Sequence, residues 1–224
     1  MRLSDSPVLS NVITSSKVVH IYGAGLNQNR PAHTAVKDLS DRGWAVAPIH
    51  PKDGGATIDG FPIRPGLDNG ITPEIVVLFL APQRARDVVR NLIIRMDKDN
   101  FPLIWFQLGA EDDEAIEALD EMGVNYVFDD CLVRYCNRHD LICSNSILPQ
   151  KWCLQTASED GDGCSIWSVY STDSVNLDRP NKALEWVGSI DDLANSKHSI
   201  PRYIRSLAEK NEDLYSLSLR LSNT

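Results

Sequence analysis

The chain has 224 residues, 42% of them hydrophobic, enough for a packed core and too many for wholesale disorder. Its 22 basic residues against 31 acidic ones give a net charge of −9, the wrong sign for a diffuse nucleic-acid binder or for a protein drawn to an anionic membrane. The longest wholly apolar run, residues 75–81, falls far short of the ~20 residues of a spanning helix, and Met1-Arg2-Leu3-Ser4-Asp5 opens no signal-peptide stretch, so a cytoplasmic protein is expected.

Apolar runs of strand length occur at 18–22, 44–49, 75–80, 103–107 and 124–128. Stretches with helical spacing follow several of them: 35–42, then 84–96 with Ala85, Val88, Val89, Leu92, Ile93 and Met96, then 111–122 with Ala115, Ile116, Leu119 and Met122. Strands alternating with helices imply βαβ crossovers and a parallel sheet. The near-continuous apolar strands fit burial on both faces. Gly43 and Gly123 stand where helices end, at the position that favours left-handed backbone. The stretch 48–70 is rich in Gly and Pro, with a short extended piece expected at 61–64 and no helix.

The character changes near residue 145, which suggests a first domain over 1–144 and an extension over 145–224. Runs at 152–156 and 165–170 flank an acidic, glycine-containing segment, 158–163, and read as a hairpin with an exposed loop. Two helices are expected after Asp178-Arg179-Pro180, the last carrying Ile200, Ile204, Leu207, Leu214, Leu217 and Leu221 on one stripe that is interrupted at Lys210 and Asn211. With Trp152, Trp167 and Trp186, that is more apolar surface than a free tail exposes. The extension is therefore expected to pack on the core, on a second copy in a homodimer, or on a protein partner.

The sharpest local signal joins the first strand to the first helix: Tyr22-Gly23-Ala24-Gly25, then Asn29-Arg30-Pro31-Ala32-His33. In a doubly wound sheet this corner lies at the carboxyl edge, where ligands bind. Gly23 and Gly25 allow close backbone approach, and the helix N-terminus that follows offers unpaired N–H groups and a positive dipole end. Arg30 adds a charge-assisted contact. The dinucleotide fingerprint GxGxxG is incomplete, with Gln28 at its third small position, and no Walker A pattern occurs. Spacing alone leaves a phosphate loop and an ordinary glycine turn both open.

The ordered landmarks resemble the CoA-binding domain family of small Rossmann-like proteins and, more distantly, the N-terminal domain of the succinyl-CoA synthetase α subunit. Gly23-Ala24-Gly25 through His33 resembles the family's phosphate loop. Val46-Ala47-Pro48-Ile49-His50-Pro51-Lys52 resembles its second strand ending in Val-Asn-Pro. Thr57-Ile58-Asp59-Gly60 with Pro65-Gly66-Leu67 resembles its Ile-x-Gly and Pro-Ser-Leu landmarks. Ile75-Val76-Val77-Leu78-Phe79 and Trp105-Phe106-Gln107-Leu108-Gly109 resemble its third and fourth strands, and Asp129-Asp130-Cys131-Leu132 its closing Asp-Arg-Cys. The likeness covers about 15–137.

The resemblance implies an α/β fold, a doubly wound five-stranded parallel sheet with a C-terminal α+β extension, and CoA or acyl-CoA as ligand. It assigns the pyrophosphate to Gly23, Gly25, Asn29, Arg30 and His33, and the adenosine to His50, Pro51 and Lys52. It assigns the pantetheine arm to Phe79, Leu80, Ala81, Gln107, Leu108 and Gly109. Lys52 would meet the ribose 3′-phosphate as a compact cation. The chain departs from the family pattern at Gly25, Ala32, Leu80 and Asp130, where polar or basic groups are usual.

The expected function is non-catalytic binding of CoA or acyl-CoA. The alternatives are an enzyme or redox protein using CoA or NAD(P), and an interaction module whose nucleotide site has decayed. His50 stands where a nicotinamide enzyme would carry a ribose-binding acid. No triad or Cys/His pair stands out, so no catalytic residue is assigned, and the phospho-histidine and grasp domains of the synthetases are not recognisable. Cys131, Cys136, His139 and Cys143 crowd together, but C-x4-C-x2-H-x3-C matches no zinc module, and buried or surface thiols are the default. Cys131, just past the fifth strand, is the candidate for a mixed disulfide with a CoA thiol. The acids 111–114 fit a helix N-terminus rather than a metal.

Overall fold

A computed structural model describes residues 1–3, 5–158 and 164–222; the acidic segment expected to form an exposed loop lies, at 159–163, outside them. The chain divides into two compact units, Met1–Pro48 with Thr72–Leu148, and Ile49–Ile71 with Pro149–Thr224. No helix among the described residues is long and apolar enough to cross a membrane.

The first unit is built on the parallel strands β1 (Val18–Tyr22), β2 (Ala45–Ile49), β5 (Ile75–Leu78), β6 (Leu103–Phe106) and β7 (Tyr126–Val127). Their order is β2-β1-β5-β6-β7. Val19, His20, Ile21 and Tyr22 stand beside Ile75, Val76, Val77 and Leu78, which in turn stand beside Leu103, Ile104, Trp105 and Phe106. Every residue of β2, β5 and β6 is buried, as strands covered on both faces require. His20 is buried within β1.

Four of the unit's helices lie where the apolar spacing or the chain entry dictates. They are α1 (Pro7–Ser15), α2 (Pro31–Ser40), α3 (Pro82–Arg95) and α4 (Asp113–Met122). The Ser6 side chain caps α1, accepting from Leu9 N. Helix α3 buries Ala85, Val89 and Leu92, the row read from the sequence. Gly123 ends α4 with φ 66°, and Gly43 closes the turn after α2 with φ 93°. Two helices were not anticipated: α1 and α5 (Leu132–Arg138), each only about two turns long and so giving few repeats of the apolar spacing. Residues 1–3 cover the open side of β7, with Leu3 N donating to Tyr126 O at 2.8 Å.

The second unit joins an excursion from the β2–β5 connection to the C-terminal part of the chain. The excursion forms a small hairpin, β3 (Thr57–Ile58) with β4 (Phe61–Pro62). The remainder forms an antiparallel sheet of β8 (Lys151–Ala157), β9 (Ser165–Ser171) and β10 (Leu184–Ser189) in the order β10-β8-β9, with α6 (Ile190–Asn195), α7 (Ser199–Ser206) and α8 (Leu214–Ser222). The expected hairpin is β8 and β9. Where two helices were expected after residue 180, a strand, 184–189, precedes three, and the interruption read at Lys210 and Asn211 is a loop that parts α7 from α8, with Asn211 at φ 67°. The stripe nevertheless has one destination. Ile204 and Leu217, with Ile200, Leu207, Leu214 and Leu221, pack on Cys153, Trp167, Trp186 and Leu193.

The excursion is bonded to the rest of this unit at several points. Thr57 N donates to Leu177 O at 2.9 Å, Gly60 N to Asn176 Oδ1 at 2.8 Å, and Lys197 N to Asn69 O at 2.6 Å. A Cβ at Gly60, where φ is 78°, would stand 1.9 Å from Thr172 O. Truncation after Ser144 therefore removes these partners of residues 49–71, and with them Asp192, the carboxylate that pairs with Arg64. The shortened chain is expected to unfold at markedly lower urea concentration than the full chain or to be insoluble, and an unchanged midpoint would refute this dependence.

Candidate functional site

The corner after β1 is shaped by one close approach. Gly23 has φ 92°, and a Cβ there would stand 2.4 Å from the carbonyl oxygen of Phe79. Phe79 N in turn donates to Tyr22 O at 3.0 Å. The loops leaving β1 and β5 thus run against each other. In the strand order 2-1-3-4-5 this is the topological switch point, where adjacent crossovers diverge to opposite faces and open a crevice.

The loop beyond Gly23 is internally braced. Ala24 and Gly25 are buried. His33 Nδ1 lies 2.8 Å from Gly25 O, so Nδ1 carries a proton and Nε2 is left as the second polar position of the ring. Arg30 N donates to Asn27 O at 3.0 Å, and Asn29 N to Asn27 Oδ1 at 3.1 Å, closing a turn that leaves residues 27–30 exposed.

Two helices start at this crevice, and neither has a side-chain cap. Helix α2 begins after Arg30 and α3 after Ala81, each with Pro at its first position and no acid in its first turn. Helix α4, after β6, is the opposite: Asp112 accepts from Ala115 N, and Asp113 and Glu114 follow. Arg86 of α3 pairs with Asp112 and Glu114. An anion is therefore favoured beside β1 and β5 and disfavoured beside the start of α4. The acids of 111–114 serve as read from the sequence, with Glu111 also accepting from Gly109 N at 2.7 Å.

At the end of β6, Gln107 is only 5% exposed, and its side-chain Nε2 has no hydrogen-bond partner among the described residues. A buried amide donor left unpaired is unfavourable by about 1–3 kcal/mol and marks a place for a polar ligand atom or water. Leu108 beside it is 60% exposed, and Gly109 takes φ 84° with open space around it. Phe79 and Leu80 are half-buried and Ala81 is exposed. The first unit thus carries eleven residues of the expected set around its carboxyl edge: Gly23, Gly25, Asn29, Arg30, His33, Phe79, Leu80, Ala81, Gln107, Leu108 and Gly109.

His50, Pro51 and Lys52 follow β2 directly and belong to the second unit. His50 N donates to Arg64 O at 2.9 Å, and its Nδ1 lies 3.0 Å from the Asp53 carboxylate. Pro51 and Lys52 are exposed.

The thiols are described by burial. Cys136 and Cys153 are fully buried, and desolvation pushes both thiols up to about 12. Cys143 is buried with its sulfur 3.4 Å from Ser16 O. Cys131, half-buried, stands before α5, where its N donates to Asp130 Oδ1 and Arg138 pairs with Asp130. Native alkylation at pH 8 is expected to modify exposed Cys164 and to spare Cys136 and Cys153, because the thiolate is the nucleophile. Peptide mass mapping that finds Cys136 modified before Cys164 would contradict this. Both buried thiols keep their protons in the folded state when the unfolded chain has lost them. Stability from this source is therefore complete below about pH 8.5 and declines as pH rises toward 12.

A doubly wound parallel sheet with a glycine-shaped corner at its switch point places the first unit in the Rossmann-like class of α/β domains. The chain belongs to the CoA-binding domain family, whose model matches residues 17–136. It is similar to the uncharacterized protein YneT of Bacillus subtilis (strain 168), 22% identical over 125 residues that cover 55% of this chain and 88% of that protein. A solved hypothetical protein from Pyrococcus horikoshii OT3 is 26% identical, with a TM-score of 0.52 over 61% of this chain and 92% of its own. Cell-free ID.343 from Thermus thermophilus is 28% identical, with a TM-score of 0.52 over 58% and 96%.

Sequence reasoning missed two features of the site. The paired uncapped starts of α2 and α3 were legible as Arg30-Pro31 and Ala81-Pro82, with no Ser, Thr, Asp or Asn before either proline. The unpartnered amide of Gln107 was not legible, because satisfaction of a buried group depends on its three-dimensional neighbours.

Proposed function

We propose that the protein binds CoA or an acyl-CoA without catalysing its turnover, with the diphosphate at the corner formed by Gly23–His33 and the starts of α2 and α3. The observation that carries this reading is the glycine contact at the switch point with two uncapped, acid-free helix starts beside it. Arg30 supplies a flexible cation at the rim, and His33 holds the loop through Gly25. Gln107 Nε2 offers a donor to an amide carbonyl of the pantetheine arm, and Leu108 offers it an apolar surface. Binding through these residues belongs to the first unit alone.

Calorimetric titration tests the reading. CoA is expected to bind with a micromolar Kd or tighter, and Arg30→Ala is expected to lose roughly 1.5–3 kcal/mol, the range for a charge-assisted contact. Equal affinity of wild type and Arg30→Ala would remove Arg30 from the site. No binding of CoA, acetyl-CoA or NAD(P) at millimolar concentration would refute the ligand class. NAD(P) binding in preference to CoA would favour the nucleotide-enzyme alternative.

A further inference from the structure

The antiparallel sheet of the second unit ends in two edge strands of opposite character. An edge strand leaves N–H and C=O groups unpaired, and proteins blunt such edges with charges, bulges or prolines. Strand β10 has two of these devices: Glu185 lies within it, and its register with β8 breaks between Leu184 and Trp186. Strand β9 has none of them. Ser165–Ser171 contains no charged residue and no proline, and its pairing with β8 is unbroken over all seven residues.

The hydrogen-bond phase shows which groups of β9 face outward. Thr172 N donates to Gln150 O at 3.1 Å, in line with the register of β9 and β8. Every second residue before it, Tyr170, Ser168 and Ile166, therefore also turns its backbone groups towards β8. Ala157, opposite Ser165, fixes the same phase, because its N donates away from β9 to Ala183 O at 3.0 Å. The alternate residues point to the free edge. Ser171 commits its pair to the turn that follows, its N donating to Ser174 Oγ at 3.3 Å and its O accepting from Ser174 N at 3.1 Å. The outward N–H and C=O of Trp167 and Val169 meet no hydrogen-bond partner among the described residues.

Helix α8 lies over the sheet rather than beside this edge. Its Leu217 packs with Cys153 of β8, and the Ser218 side chain bonds the Cys153 thiol, so the helix covers the face that carries Cys153, Trp167 and Val169. Ile166, Ser168 and Tyr170 stand on the opposite face, where Ile166 is 44% exposed.

Two features of the strand point to a second copy of this chain as its occupant. The sequence mirrors itself about Ser168: Val169 answers Trp167, Tyr170 answers Ile166, and Ser171 answers Ser165. Antiparallel pairing of β9 with itself therefore sets aromatic against β-branched side chains, a favourable cross-strand combination, and serine against serine. In that register Trp167 and Val169 of the second copy exchange both N–H···O bonds, as do Val169 and Trp167 of the second copy, so all the outward groups are satisfied at once. The second feature is charge. Two chains of net −9 repel each other, and along this edge neither presents a charge to the other.

We infer that the protein forms a two-fold homodimer by antiparallel pairing of β9 with β9 of a second copy, which joins the two antiparallel sheets into one across the axis. Such an interface is isologous. Ser168 meets Ser168 of the second copy at the axis in a non-hydrogen-bonded pair, the arrangement in which facing side chains stand closest. The dimer concerns the second unit and does not rest on CoA binding.

Sedimentation of the full-length protein over a concentration series tests this, with hydrogen exchange followed by NMR on the same samples. A species of twice the 24.9 kDa chain mass is expected. The Trp167 and Val169 amides are expected to exchange slowly in the dimer and rapidly on dilution to monomer, while the Ser168 and Tyr170 amides, bonded to β8, stay protected throughout. Ser168→Lys and Ser168→Glu are each expected to raise the dimer dissociation constant about tenfold or more, because like charges then oppose each other at the axis. An equimolar mixture of the two variants is expected to recover the dimer, since only a residue on the axis meets its own position in the second copy. A monomer at every concentration, even one whose β9 adds an unrelated extended peptide, would overturn the inference. So would a dimer that Ser168→Lys leaves unchanged, or folded variants whose mixture stays monomeric. If the variants do not fold, the wild-type amides decide: a dimer in which Trp167 and Val169 exchange as fast as in the monomer pairs through another surface and refutes the assignment.

Discussion

Gly23→Ala is expected to be the most damaging single change in the first unit, lowering stability by about 2–5 kcal/mol and abolishing CoA binding. Two penalties combine. An L-residue at φ 92° leaves the favoured backbone regions, and its Cβ would stand 2.4 Å from Phe79 O. The atom it meets is backbone of the neighbouring loop, so relief requires the ends of β1 and β5 to part. That opens the 3.0 Å bond from Phe79 N to Tyr22 O and displaces the start of α2. Urea unfolding and CoA titration of the same variant measure the two effects. A variant with wild-type midpoint and affinity would show that the close approach does not shape the site. As a comparison, Gly109→Ala has open space around the new Cβ despite φ 84°, and only the smaller strain of its backbone is expected there.

The second unit has its own critical pair. Arg64 is 4% exposed, and its Nε and Nη2 reach one oxygen of Asp192 at 2.8 and 2.5 Å. The same oxygen accepts from Ser189 N at 2.8 Å, while Ser189 Oγ accepts from Asp192 N, completing a capping box at the start of α6. Arg64 also donates to Pro62 O. One carboxylate thus fixes the excursion and caps a helix. Arg64→Ala leaves that carboxylate buried without its cation, and a loss of about 3–5 kcal/mol is expected. Arg64→Met/Asp192→Asn is expected to recover part of the loss, because neither member then carries an uncompensated charge. A double-mutant cycle by chemical unfolding, read on tryptophan fluorescence, measures the coupling. Additivity of the two single changes would show that the pair contributes no specific interaction.

These two sites illustrate how far the chain could be read before its structure. The five parallel strands were legible because each is apolar at nearly every position, as double-sided burial demands, and the intervening 3.6-residue spacing marked α2, α3 and α4. Gly23, Gly25, Arg30 and Pro31 were legible as a tight strand-to-helix corner because glycine freedom and a proline-started helix are local properties. Strand β10 was not read as a strand, because its central residues, Trp186 and Val187, are buried against β8 and the neighbouring helices rather than patterned by local propensity. Local order also determined the α/β class, the βαβ alternation and the place of the glycine corner after β1. Only the tertiary structure decided which parts of the chain share a unit. The excursion 49–71 and the tail 149–224 are separated by most of a parallel sheet in sequence, yet Arg64 finds Asp192, Asp53 finds Arg179 and Asp68 finds Trp186. Such pairings depend on complementary charge and shape between distant segments, which no residue in either segment signals by itself.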